Sequence, residues 1–515
     1  MAPPFDASTE ASRPPGWRAL GPWCFGLAIA CGIPFLVIDI PPCADLPQHL
    51  AQIRLLDEWL GLQPPSAMMA DPLAVNWLGP GNLIYLPLWV FTRVLPPVAA
   101  GSLLLYTLLL SQLAAILHCA AKWRATRAQG IWASLFIFNA SLYWGFLGFL
   151  AGIPFILLWI DALLSLETRE VRPLRETRLL GLLLGLYVAH SIWFTVGMVL
   201  LVLFTLLSRP KWRVLLVRFF ILLPGLALAG YGLPRLAVLR HSSPIETVPS
   251  WATPASDKLD PGWFVDAALG GLRSPLEAVV VLGALAWIGL GLWTNRRTLR
   301  QQLNWRLVLL PALILIGVYA GPDSAMNAIH FSTRFAPVAM MLLLLATPAP
   351  KLGALVPKVL LAGCGVAFLA VTTAGWAAYS RQELSGLRPA LASIAKPGAI
   401  LGLDFIYESA IVQGRPFVQM FAYAQAVHGT VPSFSFARHG SALVVYTRPV
   451  LPPWTWGLEW FPKRVEASDL AYFDFVLVNA TPEVHAMVSR ALHLRPLTDG
   501  GRFRLYATDR PSLSP

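Results

Sequence analysis

Two polar side chains stand four residues apart at the start of an amphipathic segment, in the motif Asp45-Leu-Pro-Gln-His49. If residues 45–60 form a helix, Asp45, His49 and Gln52 fall on one face and the apolar side chains fall on another. A carboxylate in this position can deprotonate an attacking hydroxyl group or hold a cation, and a nearby imidazole can tune it or bind phosphate. These three residues are therefore candidate site residues.

The same motif also has a purely structural interpretation. Asp45 with Gln48 three residues later fits a capping box, and Pro47 suits the first turn of a helix. The residue types and their spacing by themselves favour this capping interpretation. The two roles are compatible, because a carboxylate at a helix N-terminus is also held ionised.

A second candidate cluster lies in the stretch Asn327-Ala-Ile-His330-Phe-Ser-Thr-Arg334-Phe-Ala-Pro337. His330 and Arg334 are again four residues apart. An arginine on the outer side runs against the positive-inside bias, and binding a phosphate or pyrophosphate would explain it. Two alternatives stay open: Arg334 snorkels to lipid headgroups, or it pairs with Asp323.

Three further residues are weaker candidates. Asp39, at the end of the first apolar run, is either a second acidic group of the site or a stop at the membrane interface. Arg240 either adds positive charge near a phosphate or is solvated, and His190 is more often a hydrogen-bonded structural residue.

The five cysteines form no CxxC pair and no Cys/His cluster, so no zinc site is predicted. Asp45 is the one possible metal ligand.

The composition places these candidates in a membrane protein. Of 515 residues, 56% are hydrophobic and 13% are charged, whereas a soluble domain carries about 25% charged residues. Apolar runs of about 18 residues or more recur, and each is long enough to cross a hydrocarbon core. The net charge is +12, but the basic residues cluster in short loops between apolar runs, so nucleic-acid binding is not expected.

The order of apolar runs and basic loops predicts about eleven transmembrane helices and a cytoplasmic N-terminus. Residues 129–166 and 179–207 are each predicted to form two short helices, with turns near Tyr143-Trp-Gly145 and His190-Ser191. One further span ends before Gly321 and another begins after Arg334. The remaining spans are predicted over residues 20–38, 97–121, 214–234, 276–293 and 359–378.

Two long loops and the C-terminal segment are predicted to lie on the outer side. Residues 1–379 form the transmembrane domain, with outer loops at 39–96 and 235–275, and residues 380–515 form a small extracytoplasmic α/β domain. The fold class is therefore a mainly α, polytopic membrane protein with an appended α/β domain. The α/β assignment rests on strand patterns at 398–406, 473–479 and 502–506 and a helical pattern at 482–494.

This layout resembles that of the integral-membrane GT-C glycosyltransferases. It is also similar to bacterial membrane proteins whose first loop helix begins Asp-x-Pro-x-His. At residue level the resemblance rests on Asp45-Leu-Pro-Gln-His49 and on Arg334-Phe-Ala-Pro337. It implies an inverting transfer of a sugar from a polyprenyl-phosphate donor to an acceptor, at the outer face of the bacterial inner membrane and in contact with membrane lipid.

The resemblance also implies roles for individual residues. Asp45 would be the base or the acceptor-positioning carboxylate, with His49 as its active-site partner. Arg334, with His330, would hold the donor phosphate. The loop lacks the Asp-Asp, Asp-Glu or His-Pro-Asp-Glu motif of the better-known members, which leaves open whether a divalent cation such as Mg²⁺ or Mn²⁺ takes part.

Two other classes of function stay open. The glycine-interrupted helix pairs also fit a transporter or flippase for a lipid-linked or small polar substrate, since transporters place their sites at such breaks. Against this, the two halves show no convincing repeat and few ionisable groups lie in mid-span. The third class is a non-catalytic membrane scaffold whose C-terminal domain is a binding module.

Overall fold

The computed structural model describes residues 17–66, 72–166, 170–208, 210–242, 248–325, 328–353, 355–438, 442–447 and 452–508, and at 17–23, 232–242 and 355–358 it describes the backbone only. In this part of the chain, six helices are long and apolar enough to cross a membrane: Pro97–Lys122, Leu147–Leu164, Ser191–Ser208, Trp212–Tyr231, Pro275–Thr294 and Val359–Glu383. Shorter apolar helices accompany them at Cys24–Leu36, Trp305–Ala320 and Thr333–Ala346. The prediction of about eleven spans is thus supported in part.

The predicted first outer loop contains two helices and a short strand. In chain order this region comprises α1 (Trp17–Leu36), α2 (Leu46–Trp59), β1 (Leu73–Val75), α3 (Tyr85–Val94) and α4 (Pro97–Lys122). α2 is the amphipathic helix that the sequence pattern predicts, and Leu46, Leu50 and Ile53 on its apolar face are buried. Pro47 lies in its first turn, where the missing N–H has no helical acceptor to lose.

Interrupted helices follow: α5 (Arg127–Leu135), α6 (Ala140–Trp144), α7 (Leu147–Leu164), α8 (Pro173–Ala189) and α9 (Ser191–Ser208). Gly145 ends α6 at φ +85°, a left-handed conformation that glycine adopts without a Cβ clash, and this confirms the predicted turn. His190 separates α8 from α9 in extended conformation, as predicted. The first region holds three helices rather than the predicted two, because Asn139 caps a separate helix α6 by accepting from the Ser141 N–H.

The chain then continues through α10 (Trp212–Ser242), α11 (Ala255–Lys258), α12 (Pro261–Ala268), α13 (Pro275–Thr294), α14 (Leu299–Gln302), α15 (Trp305–Ala320), α16 (Ala336–Ala346), α17 (Leu355–Ala378) and α18 (Leu387–Ala392). α10 runs on to Ser242, so helix covers the first residues of the predicted second outer loop, 235–275. The helix continues because no glycine or proline stop follows its last apolar turn until Pro244.

The C-terminal segment contains a small mixed sheet. Its elements are β2 (Ala399–Asp404), α19 (Ala422–His428), β3 (Val431–Pro432), β4 (Val444–Tyr446), β5 (Phe475–Asn479), α20 (Pro482–Ala491), β6 (Arg495–Pro496) and β7 (Phe503–Ala507). The sheet has the order β3-β2-β5-β7-β6, with β2 parallel to β3 and β5, and β7 antiparallel to β5. The three predicted strands and the predicted helix are present.

The C-terminal segment packs directly on the first loop. β4 pairs with β1 in antiparallel register, with Leu73 opposite Tyr446, and α2 packs against α19. Buried side chains such as Phe417 and Val444 belong to the same hydrophobic cluster as Leu46 of α2. α2 therefore packs against the C-terminal segment and against α3 and α4, which fixes the position of its first residues.

Candidate active site

The start of α2 is fixed by backbone hydrogen bonds to the end of α6. The Ala44 N–H donates to the Tyr143 carbonyl (2.8 Å) and the Asp45 N–H donates to the Trp144 carbonyl (3.1 Å). Gly145 lies against this junction, and a Cβ atom there would be 2.7 Å from the Asp45 nitrogen. A glycine at this position is thus required both by its positive φ and by the close approach of Asp45.

The Asp45 carboxylate is not used for capping. It forms no side-chain cap hydrogen bond, so the capping-box interpretation is wrong. Gln48 explains why: its Nε2 donates to Gln419 Oε1 (2.8 Å) and to the Phe434 carbonyl (3.1 Å), so tertiary contacts take up its amide. Within the described residues, Asp45 has no hydrogen-bond or ion-pair partner for its half-buried carboxylate.

Arg334 is buried where the chain enters α16. Its side chain is held by the Ile329 carbonyl, which accepts from Nε (3.1 Å) and Nη2 (2.6 Å), and its Cζ lies 3.5 Å from the centroid of the Phe146 ring. Because only 7% of the residue is exposed, it does not snorkel to headgroups. Asp323 pairs with Lys258 instead (3.4 Å). Both structural alternatives for Arg334 are therefore wrong.

A small pocket lies between the end of α6 and the start of α16. His330 and Arg334 both line it, and the His330 ring packs on Trp144 with centroids 4.9 Å apart. His330 adopts φ +52°, so it precedes the helix rather than sharing a helical face with Arg334. The remaining lining residues are Ala140, Ser141, Trp144, Phe146, Ala267, Thr333 and Pro337.

Charge in this region is set by burial and by Arg334. Burial raises the pKa of the Asp45 carboxyl to about 7, and the Arg334 cation opposes that rise, which means that the two groups interact electrostatically. Burial and the same cation lower the pKa of His330 to about 4. At neutral pH, Arg334 is therefore the one charged side chain among the described residues that line the pocket.

His49 lies one helical turn after Asp45 and is neutral. Burial lowers its pKa to about 4, while a hydrogen bond with the Gly145 backbone opposes this shift. Its Nδ1 is 3.0 Å from the Tyr85 hydroxyl. Since a neutral imidazole has one N–H, donation to the Gly145 carbonyl leaves Nδ1 to accept from Tyr85. Both ring nitrogens are engaged, so His49 positions the turn that carries Trp144.

The other predicted site residues lie elsewhere or serve structural roles. Asp39 is exposed, pairs with Arg388 of α18 (3.1 Å) and does not line the pocket. Gln52 is buried, and its Oε1 accepts from the Val444 N–H (2.8 Å), which attaches β4 to α2. Neither side chain is among the described residues that line the pocket, so a substrate contact for Asp39 and for Gln52 stays a prediction. The Arg240 side chain lies outside the described residues.

The described residues include no group of three or more His, Cys, Asp or Glu side chains that could hold a metal ion. The charge that acts on Asp45 is the Arg334 cation, and no carboxylate is among the described residues that line the pocket. A single carboxylate beside a guanidinium is a poor site for Mg²⁺, which prefers several oxygen ligands. A cation at Asp45 stays a prediction, and no step proposed below runs through one.

Two aromatic side chains of the site were missed by sequence reasoning. Trp144 and Phe146 flank Gly145, stack with an interplanar angle of 9° and line the pocket together. From the sequence, only a turn near Tyr143-Trp-Gly145 is predicted. The available signal was the glycine itself, since a helix break between two aromatic residues turns both rings toward one side.

The sequence matches no protein-family model and no curated protein. The structure is similar to the crystal structure of ArnT from Cupriavidus metallidurans in the apo state, with 12% identity, a TM-score of 0.48 and coverage of 95% of this chain and 98% of that chain. It is also similar to ArnT from the same organism bound to undecaprenyl phosphate, with 12% identity, a TM-score of 0.42 and the same coverage. Both TM-scores lie below 0.5, so the likeness assigns no residue or ligand to this chain, and its own side chains define the site.

Proposed function

We propose that this protein is a membrane glycosyltransferase that moves a sugar from a polyprenyl-phosphate donor to an acceptor at the outer face of the membrane. One observation carries the proposal. Asp45 and the buried Arg334 interact electrostatically but do not form an ion pair in the described structure. A carboxylate without a partner and a cation beside a small pocket suit a substrate with a hydroxyl at one end and a phosphate at the other.

The two side chains then divide the reaction between them. Asp45, once ionised, removes the proton from the acceptor hydroxyl. The oxygen of that hydroxyl forms a bond to the anomeric carbon of the sugar. The bond between that carbon and the phosphate oxygen breaks on the opposite face, which inverts the configuration. The leaving phosphate takes the electron pair and is stabilised by Arg334, which lines the pocket. His49 is a positioning residue in this scheme.

Replacing Asp45 by asparagine tests the proposal. The Asp45→Asn protein keeps the shape of the side chain but cannot accept the proton, so sugar transfer in membranes should fall by about 100-fold or more, within the range of general-base catalysis. The Asp39→Asn protein is the matched control, because it removes an exposed carboxylate that pairs with Arg388. Full transfer by Asp45→Asn at normal expression would refute the role of Asp45.

The breaks at Gly145 and His190 favour one alternative, a transporter or flippase with its site at interrupted helices. Reconstituted vesicles separate the two functions. Accumulation of an intact lipid-linked or small polar substrate, without formation of a new glycosidic bond, would favour transport. Covalent transfer that depends on Asp45 would favour the enzyme.

A further inference from the structure

A second surface rich in aromatic residues lies in the C-terminal segment, on residues 452–461, which we call the tryptophan loop. It contains Trp454, Trp456 and Trp460, all half-buried, and Phe461, which is 49% exposed. Nothing in the proposed transfer step uses these side chains. Their partial burial fixes the rings while leaving part of each surface accessible.

Two arginines lie between the rings of this surface. The Cζ atom of Arg438 is 5.3 Å from the ring centroid of Trp454 and 5.9 Å from that of Trp456. Arg415 lies 5.1 Å from Trp460 and 5.2 Å from Tyr407, and its Nη1 donates to the Trp460 carbonyl (3.3 Å). Stacked guanidinium groups of this kind hold their N–H donors in fixed directions.

The position of this surface in the sheet also suits a ligand. Tyr407 and Arg415 follow the carboxyl end of β2, and the chain passes from β2 to β3 on one side and later to β5 on the other. Ligands of open α/β sheets bind in the crevice at such a switch point. Asn479, at the carboxyl end of β5, is 1% exposed, and its Oδ1 has no hydrogen-bond partner within the described residues.

The surface is continuous with the pocket through one backbone contact. Gly414, directly before Arg415, lies against Trp144: a Cβ atom there would be 2.9 Å from the indole. Trp144 lines the pocket and packs on His330. A molecule bound along Tyr407, Arg415 and Trp460 would therefore have one end close to the pocket.

We propose that the tryptophan loop, with Arg415 and Arg438, binds the saccharide portion of the acceptor. The C–H face of a sugar ring carries partial positive charge and packs on the negative face of an aromatic ring. Arg415, which donates from Nη1 to the Trp460 carbonyl, supplies its other N–H groups as donors for sugar hydroxyls. Arg438 stacks on Trp454 and Trp456 and interacts electrostatically with the buried Glu459 of the same loop. The inference rests on the proposed function in identifying the saccharide as part of the acceptor. Saccharide binding itself is measured separately from sugar transfer.

A glycan microarray of bacterial saccharides, probed with the full chain in detergent, tests the binding. The wild-type protein should bind a defined set of glycans, and Arg415→Gln should reduce that binding at least tenfold. Trp460→Phe, which keeps a ring, should retain more binding than Trp460→Leu. Arg296→Gln is the matched control, because it removes an arginine that is stacked on Trp293 outside the C-terminal segment (4.4 Å). No glycan bound by the wild type, or equal binding by Arg415→Gln, overturns the inference.

The Asp45→Asn protein separates this inference from the proposed function. It should lose transfer but bind the same glycans as the wild type, because Asp45 lies outside the tryptophan loop. If Asp45→Asn transfers normally while Arg415→Gln loses glycan binding, the catalytic assignment fails and the saccharide surface stands. If the protein binds phosphatidylglycerol vesicles through Arg415 and binds no glycan, the surface is a lipid contact and the inference fails.

Discussion

The ionisation of Asp45 should control how the transfer rate depends on pH. A general base acts only as the carboxylate, and burial raises the pKa of Asp45 from 3.8 to about 7. For a base with a pKa of about 7, the ionised fraction is about 0.09 at pH 6 and about 0.9 at pH 8, so kcat/KM should rise about tenfold over this interval. An ordinary carboxylate would be fully ionised throughout, and the profile would be flat.

The assay is sugar transfer in detergent or vesicles between pH 5.5 and 9, with a phosphodiester donor that does not itself titrate there. Arg334 lowers the pKa of Asp45, so removing its charge should raise that pKa. Arg334→Gln should therefore shift the midpoint of the profile to higher pH, and Arg334→Lys, which keeps the charge, should shift it less. A flat profile in the wild type, or the same slope in the residual activity of Asp45→Asn, would refute the reasoning.

Three further predictions concern stability. The folded-state pKa of Asp45 exceeds its ordinary value of 3.8, so the folded protein loses stability as pH rises from about 4 to about 7. Asp45→Asn should accordingly raise Tm at pH 8 but not at pH 4, and equal Tm differences at both values would contradict this. Gly145→Ala places a side chain on a left-handed backbone, which costs roughly 1–2 kcal/mol, and brings its Cβ against Asp45. Its Tm should therefore fall. The control Gly181→Ala, which has open space around the new Cβ, should leave Tm unchanged or raise it. Gln48→Ala leaves the buried hydrogen-bond partners of Gln48 unsatisfied, which costs about 1–3 kcal/mol of stability. Limited proteolysis should therefore release the C-terminal segment faster than in the control Gln63→Ala, which changes an exposed residue. Equal rates would contradict the docking role of Gln48.

Much of the architecture was predictable because it depends on local patterns. The amphipathic period placed α2, the helix breaks fell at Gly145 and His190, and alternating apolar residues placed β2, β5 and β7. Arg334 was recognisable because a charge at a membrane-helix end needs a compensating role. Each of these inferences uses residues close together in the chain.

The errors came from contacts between distant residues. The capping box failed because the Gln48 amide is taken up by Gln419 and Phe434, more than 370 positions later. Gln52 shares the polar face of α2 with Asp45, yet its Oε1 accepts from the Val444 N–H and attaches β4 to α2. A helical face groups side chains by direction, but the neighbour that covers each part of the face decides which of them stay accessible.

By itself, the sequence determined that the chain is a helical membrane protein, and it placed an acid in the first loop and an arginine before α16. These follow from hydropathy and spacing, which are local. Only the tertiary structure decided that Asp45 has no partner for its carboxylate among the described residues, that it interacts electrostatically with Arg334, and that Trp144 and Phe146 line the pocket. Two contacts are responsible: the close approach of Asp45 to Gly145 and the docking of the C-terminal segment on α2. Both join residues that are far apart in the chain, and a local pattern of residue types does not reveal such contacts.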